Sequence, residues 1–207
     1  MMWGRRPWWD GIARCADGTH QIWTGNLLLR TLMSWEFSLA AAGGSDPEAQ
    51  RWLGWRPDQL MSSHERKRLL AKRVRRVGTL WLESADPCPG QLLAIDPAGR
   101  RYAGLVSIDL ERLEMGGWLA SGYRGRGLGT ELFAGGARFA HRHLGLPDIW
   151  AGAEPANKAS SRALASAGFR FVEGPREHRL SDGRVIPAAW FHHGEPSAAR
   201  CETGTSG

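Results

Sequence analysis

The stretch that decides the fold lies at residues 123–130 and reads Tyr123-Arg124-Gly125-Arg126-Gly127-Leu128-Gly129-Thr130. It follows a strand-like run at residues 115–121 and opens an amphipathic helical run at residues 128–143. Glycine has no Cβ, so the backbone of such a loop can approach a ligand closely and turn its N–H groups toward it. The first turn of the following helix adds unpaired N–H donors and the positive end of the helix dipole. This arrangement predicts a diphosphate site for a cofactor.

Three phosphate-binding patterns compete for this loop. A P-loop requires Lys and then Ser or Thr after its last glycine, whereas Gly127 is followed by Leu128 and Gly129. A dinucleotide fingerprint requires G-x-G-x-x-G in the first strand-turn-helix unit, whereas this loop lies late in the chain and has glycine at every second position. The third pattern, Arg-x-x-Gly-x-Gly, is matched by Arg124, Gly127 and Gly129. Taken alone, the loop would also fit an ordinary glycine turn.

A second motif follows downstream of the glycine loop. Residues 157–169 read Asn-Lys-Ala-Ser-Ser-Arg-Ala-Leu-Ala-Ser-Ala-Gly-Phe. Asn157 suits the N-cap of a helix and Gly168 suits its C-cap, with apolar residues at helical spacing between them. Taken alone, this segment would be an ordinary capped amphipathic helix.

In this order and at this separation, the two motifs resemble those of the GNAT N-acetyltransferase superfamily. In that superfamily the glycine loop binds the diphosphate of an acyl-CoA, and the second helix opens with Asn and ends at Gly-Phe. The chain looks closest to the RimJ/RimL-type branch, because residues 27–30 resemble its Leu-rich first strand and residues 116–124 resemble its central strand.

The resemblance implies an α/β (α+β) fold of the GNAT type. A mixed, mostly antiparallel central sheet is flanked by helices, and two splayed strands of that sheet hold acyl-CoA. We expect residues 26–193 to form this acetyltransferase domain and residues 1–25 to form an N-terminal extension that packs on the core or on a second subunit. We expect residues 194–207 to form a disordered tail.

The periodicity and turn signals predict strands in a meander and then strands alternating with helices. The predicted strands are 26–31, 91–96, 101–110, 113–121 and 149–153, followed by a final hairpin of 169–180 with 184–193. The predicted helices are 34–42, 46–52, 56–77, 128–143 and the one that Asn157 opens.

Composition limits the class of protein. At 207 residues, with 42% hydrophobic residues, the chain suits one domain with a sizeable core. No apolar run has the length of a membrane span, and residues 1–10 lack the apolar region of a signal peptide. The three cysteines are widely spaced and odd in number, which indicates neither a disulfide framework nor a metal site. We therefore expect a cytoplasmic protein without a metal, and the resemblance implies an enzyme of bacterial type.

The net charge of +6 is concentrated at residues 64–76, within the predicted helix 56–77. Ser62 and Glu65 suit a capping box at the start of the charged part. The segment fits a solvated outer face. It also fits a surface that attracts acidic protein, ribosome or RNA.

The resemblance assigns the cofactor contacts. Backbone groups of Leu119 and Ala120 would bind the pantetheine arm, and one of their N–H groups would polarise the thioester carbonyl. The acyl-CoA diphosphate would be held by Arg124, Gly125, Arg126, Gly127, Leu128, Gly129 and Thr130, with Arg162 as a further source of charge. The arginine side chains would equally suit a solvated surface. Asn157 would contact the pantetheine or its thiol beside the reaction.

The chain departs from the family where many members carry their acid and base. Leu164 stands where many members have a general-acid Tyr, and Gly152 stands where some have a Glu base. Ser160 is the replacement candidate for the acid, because its hydroxyl could reach the departing sulfur, although it would also serve as a helix cap. Glu114 and Glu154 are candidate bases, or else surface carboxylates.

The acceptor is expected to be a primary amine. An α-amino group has a pKa of about 7.7–8.0 and a lysine amine one of about 10.4, so a site with a weak base favours a protein N-terminus. Trp52 and Trp55 are the candidate walls of the acceptor pocket, whereas Trp118, Trp150 and Trp190 are expected in the core.

The sequence therefore predicts an acetyl-CoA-dependent N-acetyltransferase that acts by direct attack in a ternary complex. A small-molecule or antibiotic amine acetyltransferase and a non-catalytic acyl-CoA-binding regulator are the alternatives. A homodimer is compatible with the sequence, and the charged segment adds a weak indication of nucleic acid or ribosome as partner.

Overall fold

The computed structural model describes residues 12–14, 19–74, 87–180 and 182–194. In this part of the chain the helices are α1 (Phe37–Gly44), α2 (Pro47–Leu53), α3 (Ser63–Leu70), α4 (Leu128–Arg142) and α5 (Lys158–Ser166). The strands are β1 (Ile12–Arg14), β2 (His20–Trp23), β3 (Leu28–Met33), β4 (Pro87–Asp96), β5 (Arg101–Asp109), β6 (Glu114–Leu119), β7 (Asp148–Ala153), β8 (Arg170–Val172), β9 (Glu177–Arg179), β10 (Val185–Pro187) and β11 (Ala189–Gly194).

Nine strands form one sheet in the order β1-β2-β3-β4-β5-β6-β7-β11-β8. All neighbours pair antiparallel except β6 and β7, which are parallel. The remaining strands, β9 and β10, form a separate hairpin. The predicted mixed, mostly antiparallel sheet flanked by helices is confirmed. Strands β1 and β2 lie within the predicted extension and join the sheet beside β3, so this part of the extension packs on the core.

The parallel neighbours β6 and β7 diverge immediately. Glu114 lies opposite Trp150, and the Trp150 N–H donates to the Leu113 carbonyl oxygen at 2.8 Å. No other register pair joins the two strands in the described part of the chain. Because β6 continues to pair with β5 and β7 with β11, the sheet opens between its two central strands.

Helix α4 covers one face of the sheet and carries the main core. Its apolar side, which includes Leu132, Phe133 and Phe139, is buried against β3, β5, β6 and β7. The helix approaches the sheet closely, since a Cβ at Gly136 would lie 2.7 Å from the sulfur of Met115. On the opposite face, a second core cluster around Leu32 packs beneath α1 and α3.

The start of α1 is fixed by a buried ion pair. Arg30 of β3 binds Glu36, and both side chains are almost fully buried. Glu36 also accepts the Met33 N–H at 3.1 Å. The Nε and Nη1 atoms of Arg30 have no hydrogen-bond partner among the described residues. An ion pair so deeply buried costs desolvation energy, which indicates that it specifies the geometry of this corner more than it adds stability.

The basic helix is shorter than predicted. In place of one helix at residues 56–77, a 3-10 turn at Pro57–Gln59 precedes α3. Ser62 begins α3, because its hydroxyl accepts the Glu65 N–H at 3.2 Å. After α3 the chain is extended, and the Val74 N–H donates to Arg100 O at 2.7 Å.

The C-terminal hairpin predicted from residues 169–180 and 184–193 forms, but its two arms pair in two separate parts instead of continuously. Strand β8 pairs with β11 at the edge of the main sheet, while β9 and β10 pair with each other. Residues 173–176, which include Pro175, lie between β8 and β9 and interrupt the extended run. Trp150, expected in the core, is 37% exposed, because it alternates along β7 with the buried Ile149 and Ala151 and so lies on the opposite face of the strand.

No helix in the described part of the chain combines the length and the apolar character needed to cross a membrane.

Candidate active site

The glycine loop before α4 has the backbone conformation that a diphosphate site requires. Gly125 and Gly127 have φ angles of 71° and 76°, a left-handed conformation that other residues adopt only with strain. A Cβ at either position would meet no atom within 4 Å, so the space beside the loop is open. Gly127 is the N-cap of α4 and offers no side-chain acceptor to the N–H groups of the first turn. The Thr130 N–H already donates to the Gly127 carbonyl oxygen at 3.1 Å, and the preceding N–H groups of this turn, together with the helix dipole, suit a diphosphate.

The first turn of α4 is anchored on its other side by a carboxylate. Glu131 accepts hydrogen bonds from the Thr24 hydroxyl at 2.6 Å and from the Asn26 N–H and side-chain amide at 2.6 and 2.7 Å. Burial raises the pKa of Glu131, but these hydrogen bonds outweigh burial and leave the pKa below its ordinary value. The turn between β2 and β3 therefore holds Glu131 in its ionised form beside the loop.

Arg124, predicted as a diphosphate contact, turns its guanidinium toward the acidic start of α2. Its Nη1 and Nη2 atoms donate to the two carboxylate oxygens of Asp46 at 2.8 and 2.5 Å, and Nη1 also donates to Glu48 at 3.0 Å. Its Nε atom donates to the Leu119 carbonyl oxygen at 2.9 Å. The guanidinium is therefore engaged, and the backbone of Arg124 remains its predicted contact to the diphosphate.

The carboxylate of Asp46 is doubly committed. As the N-cap of α2, it accepts hydrogen bonds from the N–H groups of Glu48 and Ala49, and it also accepts the hydrogen bonds of the Arg124 guanidinium. Burial raises the pKa of Asp46, whereas the hydrogen bonds from Arg124 and Ala49 lower it by more, so the net pKa lies below its ordinary value. The hydrogen bond to Asp46 in turn raises the pKa of Arg124.

The two other predicted arginines are exposed. Arg126 places its guanidinium 5.5 Å from the centre of the Tyr123 ring, and Arg162 lies on the outer side of α5. Tyr123 donates its hydroxyl to Asp96 at 3.1 Å, and burial and the Asp96 charge raise its pKa to about 12. Tyr123 therefore fixes the start of the loop, while charge contacts from Arg126 and Arg162 remain predictions.

Leu119 and Ala120, the two residues predicted to bind the pantetheine arm, direct their backbone groups to opposite edges of β6. The Ala120 N–H donates to Ala103 O of β5 at 2.9 Å, so it does not face the opening. Backbone groups alternate along an extended strand, so those of Leu119 point to the other edge of β6, toward β7. Leu119 therefore directs its backbone toward the opening, and its N–H is the one that remains predicted to polarise the thioester.

A cavity of about 210 Å³ occupies the opening between β6 and β7. It is lined from both faces of the sheet, so it forms a passage through it. Residues on the α4 and α5 side are Phe133, Asn157, Ser160 and Leu164. Residues on the other side come from α2 and the β9–β10 hairpin and include Trp52, Leu53, His178, Leu180, Ile186 and Ala188. The strands themselves contribute residues 114–117 and 151–153, followed by Glu154.

Five of the predicted residues meet in this cavity, namely Trp52, Glu114, Glu154, Asn157 and Ser160. Trp55 does not line it. Instead, Trp55 packs edge-on against Trp118, with ring centres 5.5 Å apart, above Gly44, whose lack of a side chain makes room for it.

Asn157 and Ser160 lie at the start of α5 and have different roles there. The Asn157 carboxamide oxygen accepts the Ser160 N–H at 3.1 Å, which makes Asn157 the N-cap, as its position in the motif predicts. The Ser160 hydroxyl has no hydrogen-bond partner among the described residues and lines the cavity. The hydroxyl is therefore free to act on a ligand.

His178 is the functional candidate that the sequence did not indicate. It is half-buried on β9, contributes to the cavity wall, and lies edge-on to Trp190 with ring centres 5.9 Å apart. Strand alternation in the three-residue β9 turns His178 inward and its neighbours outward. The sequence contains no motif around His178, and the signal lies only in this parity, which needs the hairpin pairing.

Glu114 also opens onto a second cavity of about 280 Å³. Its other walls are Arg112, Trp150, Gly174, Pro175 and Trp190. Trp190 is held there by a hydrogen bond from its Nε1–H to Pro175 O at 2.7 Å. Glu114 thus stands where the two cavities adjoin.

Comparisons with known proteins agree with this architecture. The model of the acetyltransferase (GNAT) domain matches residues 26–170. Curated protein sequences give no significant match. A GNAT-family acetyltransferase from Bacillus anthracis is 14% identical, with a TM-score of 0.60 over 84% of this chain and 98% of that one.

Two structures with named acceptors share the fold. Ribosomal-protein-S5-alanine acetyltransferase from Vibrio fischeri is 16% identical, with a TM-score of 0.57 over 86% of this chain and 97% of that one. Spermidine N-acetyltransferase from Vibrio cholerae, solved with CoA and spermine, is 16% identical, with a TM-score of 0.57 over 82% and 96%. Because the family model matches well over half of the chain, this protein belongs to the acetyltransferase (GNAT) domain family and is an N-acetyltransferase that uses acetyl-CoA.

Proposed function

We propose that this enzyme acetylates the amino terminus of a protein or peptide by direct attack of the amine on acetyl-CoA in a ternary complex. The observation that carries the proposal is the cavity that passes through the sheet between β6 and β7. With acetyl-CoA on the α4 and α5 side, the thioester can meet an acceptor that enters between α2 and the β9–β10 hairpin. No covalent acetyl-enzyme is needed when both substrates reach one opening.

The charge of the cavity supports a cationic acceptor. The protein carries a net charge of +6, yet among the described residues the titratable ones that line the cavity are Glu114, Glu154 and His178, without a Lys or Arg. Carboxylates in a recessed site raise the local concentration of ammonium groups. The aromatic face of Trp52 adds a surface suited to a cation.

The chemistry follows from the groups that line the cavity. An ammonium group must first lose a proton, for which Glu114, Glu154 and His178 are the available acceptors. The amine nitrogen then bonds to the acetyl carbon while the carbon–sulfur bond breaks. The second amine proton leaves to one of the same acceptors, and the departing sulfur takes a proton from Ser160, which is replenished by solvent. The Leu119 N–H would stabilise the charge that develops on the carbonyl oxygen.

The choice of an amino terminus rests on acidity. The proton acceptors of the cavity are carboxylates and an imidazole, and the family Tyr is absent at Leu164. Such a site uses an amine with a pKa of about 7.7–8.0 more readily than a lysine amine of about 10.4. The fold shared with the ribosomal-protein acetyltransferase of Vibrio fischeri is compatible with this acceptor.

An acceptor panel tests the proposal. Purified enzyme and acetyl-CoA would be mixed with lysine-free peptides, N-acetylated peptides with one lysine, spermidine and an aminoglycoside. Thiol release would be followed and products located by mass spectrometry. We expect acetylation at the free amino terminus of the lysine-free peptides. Turnover of only the lysine peptide or the small amines would overturn the proposal, and CoA binding without thiol release on any acceptor would indicate a regulator.

A further inference from the structure

We infer that Arg124 joins the cofactor loop to α2 and so acts as a positioning residue for the acceptor cavity. Its side chain is not a ligand of the diphosphate. The inference rests on the proposed function only for the placement of coenzyme A at residues 124–130. It gives one residue of the glycine motif a role on the opposite face of the sheet.

The first step is the completeness of the Arg124 contacts. Its guanidinium donates to both oxygens of Asp46, to Glu48 and to the Leu119 carbonyl oxygen. The Asp46 side chain is 8% exposed and the Arg124 side chain 24% exposed, so the pair is shielded from water. To reach a phosphate, the guanidinium would have to leave a buried carboxylate without its cationic partner, which is strongly unfavourable.

The second step is the position of Asp46 in α2. Asp46 is the N-cap, so the two hydrogen bonds from the Arg124 guanidinium hold the first turn of this seven-residue helix in place. The last turn carries Trp52 and Leu53, both of which line the cavity. A shift at the N-cap is therefore transmitted along a short rigid element to the acceptor wall.

The third step is the hairpin that faces α2. The Arg184 guanidinium donates to the carbonyl oxygens of Gln50 and Arg51 at 3.4 and 3.2 Å. A Cβ at Gly54 would lie 2.4 Å from the Leu180 Cβ, so the C-cap of α2 is in close contact with the residue that follows β9. Since this hairpin supplies His178, the Arg124 contact orients both walls of the acceptor side.

Two variants separate the two roles of Arg124. Arg124→Met keeps the aliphatic part of the side chain and removes the guanidinium. Asp46→Asn keeps an effective N-cap while removing the negative charge. We expect each to leave the Kd of CoA, measured by calorimetry, within about threefold of wild type and to raise the acceptor KM roughly tenfold or more. The double variant should cost less than the sum of the two single changes, because both remove one contact.

The matched control is Asp58→Asn, which removes the partner of Arg56 in an exposed ion pair just beyond α2. It should leave both constants unchanged. Hydrogen exchange of residues 46–54 supplies a readout that does not depend on the acceptor's identity. CoA should increase protection there in wild type and have little effect in Arg124→Met.

A rise in the Kd of CoA without a change in the acceptor KM would overturn the inference and restore Arg124 as a diphosphate ligand. An unaltered acceptor KM in Asp46→Asn would overturn it as well. If no peptide is acetylated at its amino terminus, the proposed acceptor fails, while the calorimetric and exchange results still decide the role of Arg124.

Discussion

At the scale of single residues, His178 is a proposed proton acceptor that the fold brings to the cavity without any motif around it. Its imidazole faces the same space as Glu114 and Ser160. We expect His178→Gln to lower kcat about ten- to a hundredfold, since general bases commonly contribute at least that much. The exposed His64 of α3 supplies the control His64→Gln. An unchanged kcat in His178→Gln would assign the proton to a carboxylate or to water.

Ser160 is the second residue whose role can be isolated. Its hydroxyl is free, whereas the neighbouring Ser161 hydroxyl donates to the Asn157 carbonyl oxygen at 3.3 Å within the helix. We expect Ser160→Ala to lower kcat by roughly tenfold or more with an unaltered Kd for CoA, because the contact acts on the departing sulfur. Ser161→Ala is the matched control and should retain full activity. Equal rates for Ser160→Ala and wild type would contradict the acid role.

Local pattern was sufficient for some of these residues and insufficient for others. The left-handed glycines and the Asn157 cap follow from short-range backbone rules, and both were predictable from the sequence. Asp46, which binds Arg124 across 78 positions of the chain, was not, because a side-chain partner so distant is decided by the packing of α2. His178 was missed for the same reason.

At the scale of elements, the loop before α4 can be tested through its backbone. Gly127 has a φ of 76° and open space at its Cβ position. We expect Gly127→Ala to cost about 1–2 kcal/mol of stability from left-handed strain and to weaken CoA binding roughly tenfold, because the added methyl stands where a phosphate would lie. Calorimetry with CoA and thermal unfolding measure the two effects.

Gly145, in the turn after α4, is the matched control. It has a φ of 69° and equally open space, without a proposed ligand. Gly145→Ala should lose similar stability and keep the wild-type affinity for CoA. If both variants bind CoA like wild type, the diphosphate does not lie against Gly127.

Long periodic elements were easier to predict than short ones. Helix α4 and the strands on either side of it lie within one or two residues of their predicted bounds. The charged segment failed because Pro57 and the Ser62 cap divide it, although its helical periodicity looked continuous. The division of the C-terminal hairpin at residues 173–176 was not predicted, because three-residue strands have too few positions to display an alternation.

At the scale of the whole molecule, a histidine pair ties the end of α4 to β11 and makes stability depend on pH. His141 Nδ1 donates to Leu146 O at 2.6 Å, which leaves Nε2 to accept from His193 Nδ1 at 2.9 Å. Burial lowers the pKa of His193 below its ordinary 6.5, and the charges of His141, His192 and Arg170 lower it further.

The unfolded chain therefore binds a proton at a higher pH than the folded one. The stability from neutral His193 is complete above about pH 6.5 and is lost as the pH falls through the lowered folded pKa. When the pH is lowered from about 7.5 to about 5, we expect the urea concentration at the midpoint of unfolding to decrease more in wild type than in His193→Asn. Parallel pH dependence in the two proteins would contradict this role of His193.

The single backbone pairing between β6 and β7 divides the sheet into two hydrogen-bonded blocks. Strands β1 to β6 belong to one block, and β7, β11 and β8 belong to the other. Cooperative unfolding of the free enzyme must therefore rely on the helices that bridge the gap. A pantetheine arm hydrogen-bonded along the open edge would act as the missing inner strand, so calorimetric unfolding should sharpen when CoA is added.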